Sequence, residues 1–235
     1  VSDTDTAVIL AAGGMGERFG CDGGKQLVEL CGRPLLAHTL EACASVERVG
    51  LVVAVVHPDR LEEHATALAE TAGDTEVRFV PGGERRQDSV AAGLAEVPED
   101  IRFIAVHDGA RPLVTTDEFL GAIRLLEAEP ALDGAAVGYP SVDTLKIVED
   151  GRVLETPDRS RYWIAQTPQV FRGPALRRAY ASAQLAGREG TDDSSLVEAA
   201  GGFVRMIEGP RENIKITVAE DLAFAETVVA ARVRG

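Results

Sequence analysis

Val8–Gln26 reads VILAAGGMGERFGCDGGKQ: five apolar residues run into six glycines, with Arg18 and Lys25 set among them. The apolar run has the length and composition of a buried strand. The chain therefore leaves a sheet and enters a turn of nearly bare backbone. Backbone N–H groups without neighbouring Cβ atoms can close around an anion, and the two cations offset its charge. A triphosphate suits such a turn. The competing reading is a tight reversal with its charges in solvent.

Two familiar phosphate schemes fail on spacing. A dinucleotide fingerprint needs GxGxxG, and Gly14-x-Gly16 is followed by Phe19 where the third glycine belongs. A P-loop needs GxxxxGK[ST], but Phe19 again replaces a glycine and Gln26 replaces the metal-binding hydroxyl.

Outward from this stretch, strands alternate with helices. VGLVVAVV (49–56) is continuously apolar and mostly β-branched, as in a parallel strand covered on both faces. Further strands are predicted over 76–80, 102–106 and 134–140. Helices are predicted from Pro34, from Pro58 to about Ala72, after the PGG turn at 81–83, and from Thr116 to about Glu129. Thr115 and Glu118 have capping-box spacing at the start of the last of these. This alternation predicts an α/β, three-layer, doubly wound and mostly parallel sheet in a single domain spanning 1–235. Beyond Pro140 the pattern changes. SVDTLKIVEDGRVLETPDR mixes apolar and polar residues, and Asp150-Gly151 marks a hairpin turn, so a β-hairpin arm over 139–163 is expected to project from the body. Helices are expected over 173–186 and 192–200, strands over 203–209 and at NIKIT (213–217), and a last helix capped by Thr217 with Glu220.

Composition narrows the function. The net charge of −14 repels nucleic-acid backbones, which argues against a polynucleotide partner. No run approaches the roughly 18 apolar residues of a membrane span. The acidic opening VSDTDT lacks signal character, so a cytoplasmic protein is expected. Cysteines 21, 31 and 43 lack zinc or disulfide spacing, and histidines 38, 57, 64 and 107 form no HExxH. Lys25, Lys146 and Lys215 are the three lysines among 24 basic residues, which raises interest in each.

Several residues stand where a sheet of this kind collects ligands. Asp108 ends the strand in AVHDGARP, placed to hold Mg²⁺ beside a triphosphate or simply to cap a turn. Arg111 either faces a second anionic group or pairs with a neighbouring acid. His107 reads equally as a packing residue and as a catalyst. In PGGERRQDSV, the backbone of Gly82 and Gly83 and the hydroxyl of Ser89 either meet a base edge or only reverse the chain, with Asp88 at the helix start. Lys215 lies either at a ligand or on a solvent-facing edge strand, because a buried lysine needs a partner.

These motifs resemble the cytidylyltransferases acting on 2-C-methyl-D-erythritol 4-phosphate. LAAGGMGERFG, KQ (25–26), GGERRQDSV, VHDGARP, DTLK, DR (158–159), QTPQVF, TDDSSLVE and NIKIT occur in family order over nearly the whole chain. The resemblance implies a Rossmann-like nucleotide-diphospho-sugar transferase fold and cytidylyl transfer from CTP, with Mg²⁺ or another divalent cation. It implies charge-stabilising roles for Arg18, Lys25 and Lys215, and CTP contacts from Ala11, Ala12, Gly13, Gly14 and Gly16 and from Gly82, Gly83, Asp88 and Ser89. Asp108 would lie at the metal and sugar-phosphate region, and Arg111, Thr144, Arg159 and Thr167 near the methylerythritol phosphate. The family's arm crosses to a partner subunit, which implies a homodimer in which Thr144 and Arg159 serve the neighbouring site. The chain departs from the family pattern in three places: one extra residue in the first glycine loop, Gly24 in place of proline, and Gly109 in place of alanine. Relatives that use ribitol 5-phosphate share most of the motifs. A silent nucleotide-binding dimer is the alternative from outside enzymology.

Overall fold

The computed structural model describes residues 4–14 and 25–234, and the architecture is given for these. In chain order the elements begin with β1 (Thr6–Ala12), β2 (Glu29–Leu30), β3 (Arg33–Pro34), α1 (Leu35–Ala44), β4 (Val49–Val56), α2 (Leu61–Leu68), β5 (Glu76–Pro81) and α3 (Arg86–Glu96). Then come β6 (Phe103–Asp108), α4 (Thr116–Ala128), β7 (Gly134–Pro140), β8 (Ile147–Glu149), β9 (Arg152–Glu155) and β10 (Trp163–Arg172). The chain closes with α5 (Gly173–Ala186), α6 (Asp193–Ala199), β11 (Val204–Glu208) and α7 (Ala219–Arg234).

Among the described residues the main sheet has seven strands in the order β11-β7-β10-β6-β1-β4-β5. β10 alone runs antiparallel to its neighbours, so the sheet is mostly parallel, as predicted. From β1 the chain first adds β4 and β5 on one side and then returns to place β6 on the other. That reversal opens a crevice beyond the carboxyl ends of β1 and β6, where open α/β sheets take ligands.

Alternation along the strands separates two cores. Val8, Leu10 and Ala12 of β1 face Leu36 and Leu40 of α1 and Phe119 and Ile123 of α4. Ala7 and Ile9 face the other way, toward Val90 of α3, Leu176 of α5 and Leu196 of α6. All of these are essentially buried, and each large one contributes about 1.5–3 kcal/mol by leaving water. A smaller cluster joins Leu30, Leu35, Leu113, Ile216 and Ala225, and it fastens α7 and the segment before it to the body.

The capping box forms as the sequence predicts: the Thr115 N–H and hydroxyl donate to Glu118 Oε2 at 2.8 and 3.1 Å. The arm also forms. β8 and β9 pair antiparallel, and Asp150 and Gly151 turn between them with φ of 48° and 77°.

Three expectations need correction, and one strand is added to those expected. NIKIT (213–217) is not a strand. Its segment is irregular and joins no ladder, held by hydrogen bonds such as Ile216 N–H to Ala110 O at 2.8 Å. The last helix is capped by Asp221, whose carboxylate accepts from Thr217 and Val218, because that side chain and not Glu220 reaches the open N–H groups. α2 stops at Leu68 and passes through turns to Gly73, whose φ of 58° suits glycine. Residues 163–172, left unassigned by the apolar pattern, form β10. The interruption Gln166-Thr167-Pro168-Gln169 hides its period, although Gln166, Thr167 and Gln169 are all buried and hydrogen-bonded.

Candidate active site

The crevice holds a cavity of about 180 Å³. Its walls come from the end of β1 (Ala11, Gly13, Gly14), the turn after β5 (Gly83), the first turn of α3 (Arg86, Ser89), the end of β6 (Asp108) and Lys215. Segments far apart in sequence meet here because parallel strands all present their carboxyl ends on one side.

At the centre is Asp108, the last residue of β6, paired in register with Ala11. Arg86 Nε lies 3.3 Å from Oδ1, while Arg111 Nε and Lys215 Nζ lie 3.4 and 3.0 Å from Oδ2. Burial alone would raise the Asp108 pKa. The charges of Lys215, Arg86 and Arg111 outweigh it and hold the carboxyl well below its usual range. Three cations on one carboxylate leave this spot positive in a strongly acidic chain. Such a group of fixed charges is suited to receiving a polyanion.

Arg86 is itself held from behind. Its Nη2 donates to Asp193 Oδ2 at 2.8 Å, and the Tyr180 hydroxyl donates to Asp193 Oδ1 at 2.6 Å. Asp193 is fully buried. Of this group, sequence reasoning missed Arg86, Asp193 and Tyr180. The adjacent Arg85 and Arg86 look alike in the sequence, yet Arg85 stays exposed at the cavity's mouth and binds Asp88 at 2.7 and 2.8 Å, while Arg86 reaches inward to Asp108 and Asp193. The acid doublet of TDD was the available signal for Asp193.

Gly82, Gly83 and Ser89 make one joint. A Cβ on Gly82 would stand 2.8 Å from Ser89 Oγ and 3.3 Å from the Val56 carbonyl oxygen. Ser89 Oγ accepts from Gly83 N–H at 3.1 Å and donates to Arg85 O at 3.1 Å. Here its hydroxyl shapes the turn that walls the cavity. Asp88 carries Arg85 at the mouth and lines a larger neighbouring groove of about 610 Å³ between α3 and α5. That groove shares only Arg85 with the cavity; among the described residues its arginines 85, 177 and 188 converge on no common carboxylate, and Arg177 donates to the carbonyls of Leu94, Val97 and Pro98. Ala12 packs into the core instead of the cavity.

Thr167 Oγ1 accepts from the Asp108 N–H at 3.0 Å. Arg111 is largely buried and donates to Asn213 O at 2.7 Å, so it is both a partner of Asp108 and a structural tie. His107 is wholly buried, and burial lowers its pKa to about 4, so it is neutral at pH 7 and behaves as a packing residue against Phe119. Thr144 and Arg159 are exposed on the arm, away from the cavity of their own chain, with Arg159 Nη1 on Val142 O. Gly16 and Arg18 lie outside the described residues, as does the side chain of Lys25.

Known proteins resemble this chain over nearly its whole length. Residues 6–231 match the profile of the 2-C-methyl-D-erythritol 4-phosphate cytidylyltransferase family. A protein so named from Pelotomaculum thermopropionicum is 40% identical over 228 residues, covering 96% of this chain and 94% of its own. One from Rubrobacter xylanophilus is 42% identical, covering 96% and 95%. The crystal structure of 4-diphosphocytidyl-2C-methyl-D-erythritol synthase from Anaerococcus prevotii superposes with a TM-score of 0.82 at 29% identity, covering 96% of this chain and 97% of that one. The 2-C-methyl-D-erythritol 4-phosphate cytidylyltransferase of Thermus thermophilus gives 0.74 at 31%, covering 95% and 98%.

Proposed function

From the premise that the chain belongs to the 2-C-methyl-D-erythritol 4-phosphate cytidylyltransferase family, we propose that the cations around Asp108 carry its reaction. The enzyme transfers a cytidylyl group from CTP to 2-C-methyl-D-erythritol 4-phosphate, giving 4-diphosphocytidyl-2-C-methyl-D-erythritol and pyrophosphate. A phosphate oxygen of the acceptor bonds to the α-phosphorus of CTP as the bridging oxygen leaves with pyrophosphate. That nucleophile is largely dianionic at neutral pH, because its second pKa is about 6. No side chain has to remove a proton, and the neutral, buried His107 has no part to play. The barrier is electrostatic: two polyanions meet while charge gathers at phosphorus. Fixed cations lower it most effectively.

The observation that carries this reading is the convergence of Arg86, Arg111 and Lys215 on a single carboxylate at the end of β6. In this reading Lys215 meets the α-phosphate, and Arg86 joins Arg18 and Lys25 at the triphosphate. Arg111 and Thr167 border the acceptor, and the glycine turns with Ser89 surround the nucleoside. Asp108 spaces the cations until phosphates replace it as their partner.

A divalent cation, Mg²⁺ by expectation, belongs to the same reading. Among the described residues no three His, Cys, Asp or Glu gather to hold a metal. Two carboxylates line the cavity, the exposed Glu84 and the buried Asp108, and Asp108 is already surrounded by cations. This donor set fits an ion brought in on the phosphates, since magnesium commonly takes one or two carboxylates and completes its shell with phosphate and water. When bound, the ion supplies charge neutralisation at the phosphates.

The arm completes the assembly. Of the twelve large exposed hydrophobic residues among those described, eight lie between Val142 and Ile164. A two-stranded hairpin is marginal by itself, so a second copy of the chain is the natural cover. Thr144 and Arg159 would then reach the partner's cavity. Among the described residues no helix is long and apolar enough to cross a membrane.

The test is pyrophosphate release with CTP and each candidate acceptor. Release with 2-C-methyl-D-erythritol 4-phosphate and a fall of about 10²–10³ in turnover for Lys215→Ala, at near wild-type Tm, are expected. Undiminished turnover in that variant would remove Lys215 from the chemistry.

A further inference from the structure

We infer that Asn213, acting with Glu118, is a positioning residue that sets Lys215 against Asp108. The inference rests on the role given to Lys215 above. Lys215 sits in a segment that has no strand ladder to fix it, so something else must hold its backbone. Two anchors flank it. On one side, Ile216 is buried and its N–H donates to Ala110 O at 2.8 Å. On the other stands Asn213, fully buried and tied on several sides.

Asn213 Nδ2 donates to Glu118 Oε1 at 2.5 Å and to Thr167 O at 2.8 Å. Its backbone carbonyl accepts from Arg111 Nη1 at 2.7 Å and Gln166 Nε2 at 2.9 Å. Its N–H donates to Pro210 O at 3.1 Å. The Oδ1 atom is buried without a partner. Burying that unpaired acceptor is unfavourable, so the amide is explained by its two donors and not by its oxygen.

The partners of those donors point to the site. Thr167 gives its carbonyl to Asn213 and its hydroxyl to the Asp108 N–H. One residue therefore fixes both the Asp108 end of β6 and the segment carrying Lys215. Glu118 divides its carboxylate, with Oε2 capping α4 through Thr115 and Oε1 held for Asn213. Arg111 ties the Asn213 carbonyl to Asp108 from the other side. The closed circuit Asp108–Thr167–Asn213–Arg111 leaves Lys215 little freedom to move relative to the carboxylate it faces.

The experiment compares Asn213→Ala, Asn213→Ser, Lys215→Ala and the double variant Asn213→Ala/Lys215→Ala by steady-state kinetics and Tm. Serine keeps a polar group too short to span to both Glu118 and Thr167, and it carries the test if the alanine variant does not fold. In folded Asn213 variants kcat is expected to fall about 10- to 100-fold, the scale of a misplaced reacting group. KM for CTP is expected to change by less than about threefold, because the remaining cations still bind the triphosphate. In the Lys215→Ala background the Asn213 substitution should cost no further turnover, the non-additivity of residues acting as one unit. A purely structural asparagine would lower kcat by the same factor in both backgrounds, and that result would overturn the inference, as would wild-type kcat in a folded Asn213 variant. Wild-type turnover in Lys215→Ala would remove the role of Lys215 first and this inference with it. The two failures are thereby distinguished.

Discussion

The Lys215 ammonium lies 3.0 Å from Asp108 Oδ2, and this carboxylate also faces Arg86 and Arg111, so one anion spaces three cations. Asp108→Asn keeps the shape and removes the charge. Stability should fall by about 1.5–3 kcal/mol, the range for hydrogen bonds to charged groups. The Asp108 pKa is depressed on folding. Its contribution is therefore complete above the unfolded value near 4 and is lost as acid carries the pH through the lower folded value. The Tm gap between wild type and variant should stay level from neutral pH to about 5 and narrow only in stronger acid. Added pyrophosphate returns negative charge to the cations and should raise the variant's Tm more than the wild type's. Calorimetry with and without pyrophosphate checks this; equal rises would mean that the cations do not meet phosphate.

Gly109 follows Asp108 at a place where the packing leaves no room for a side chain. A Cβ there would lie 2.9 Å from Ala12 Cβ, 2.9 Å from Leu36 Cδ1 and 3.3 Å from the Ala11 carbonyl oxygen. Gly109→Ala should cost about 1–3 kcal/mol through overpacking and push the end of β1 away from Asp108. Urea unfolding measures the first effect and KM for CTP the second. A variant as stable as wild type would show that β1 and α1 can yield at no cost.

The arm offers an assay of assembly. Leu154 is 55% exposed on β9. Leu154→Asp should weaken the proposed dimer by at least about 30-fold, equivalent to about 2 kcal/mol at an interface hot spot, while the Tm of the body holds. Sedimentation across a concentration series reads the dissociation. A wild-type chain that stays monomeric at every concentration would remove the partner subunit from the site.

Legibility in the sequence followed the physics of each segment. β4 and β6 were plain because strands buried on both faces read as unbroken apolar runs. α4 was plain because Thr115 and Glu118 have capping spacing. β10 was hidden because buried glutamines and a threonine satisfy their polarity through tertiary hydrogen bonds that no local pattern records. NIKIT has a strand's alternation, but Ile216 meets the α7 cluster and no neighbouring strand continues the ladder. Asp108 and Lys215 were identifiable one at a time, and their pairing was not. Arg86 and Asn213 were missed for the same reason: their importance lies in which distant residues they touch.

The division of β1 between two cores has a bearing on how the gene can vary. Even-numbered residues serve one helical layer and odd-numbered residues the other. An insertion or deletion within Thr6–Ala12 would exchange every side chain between layers at once.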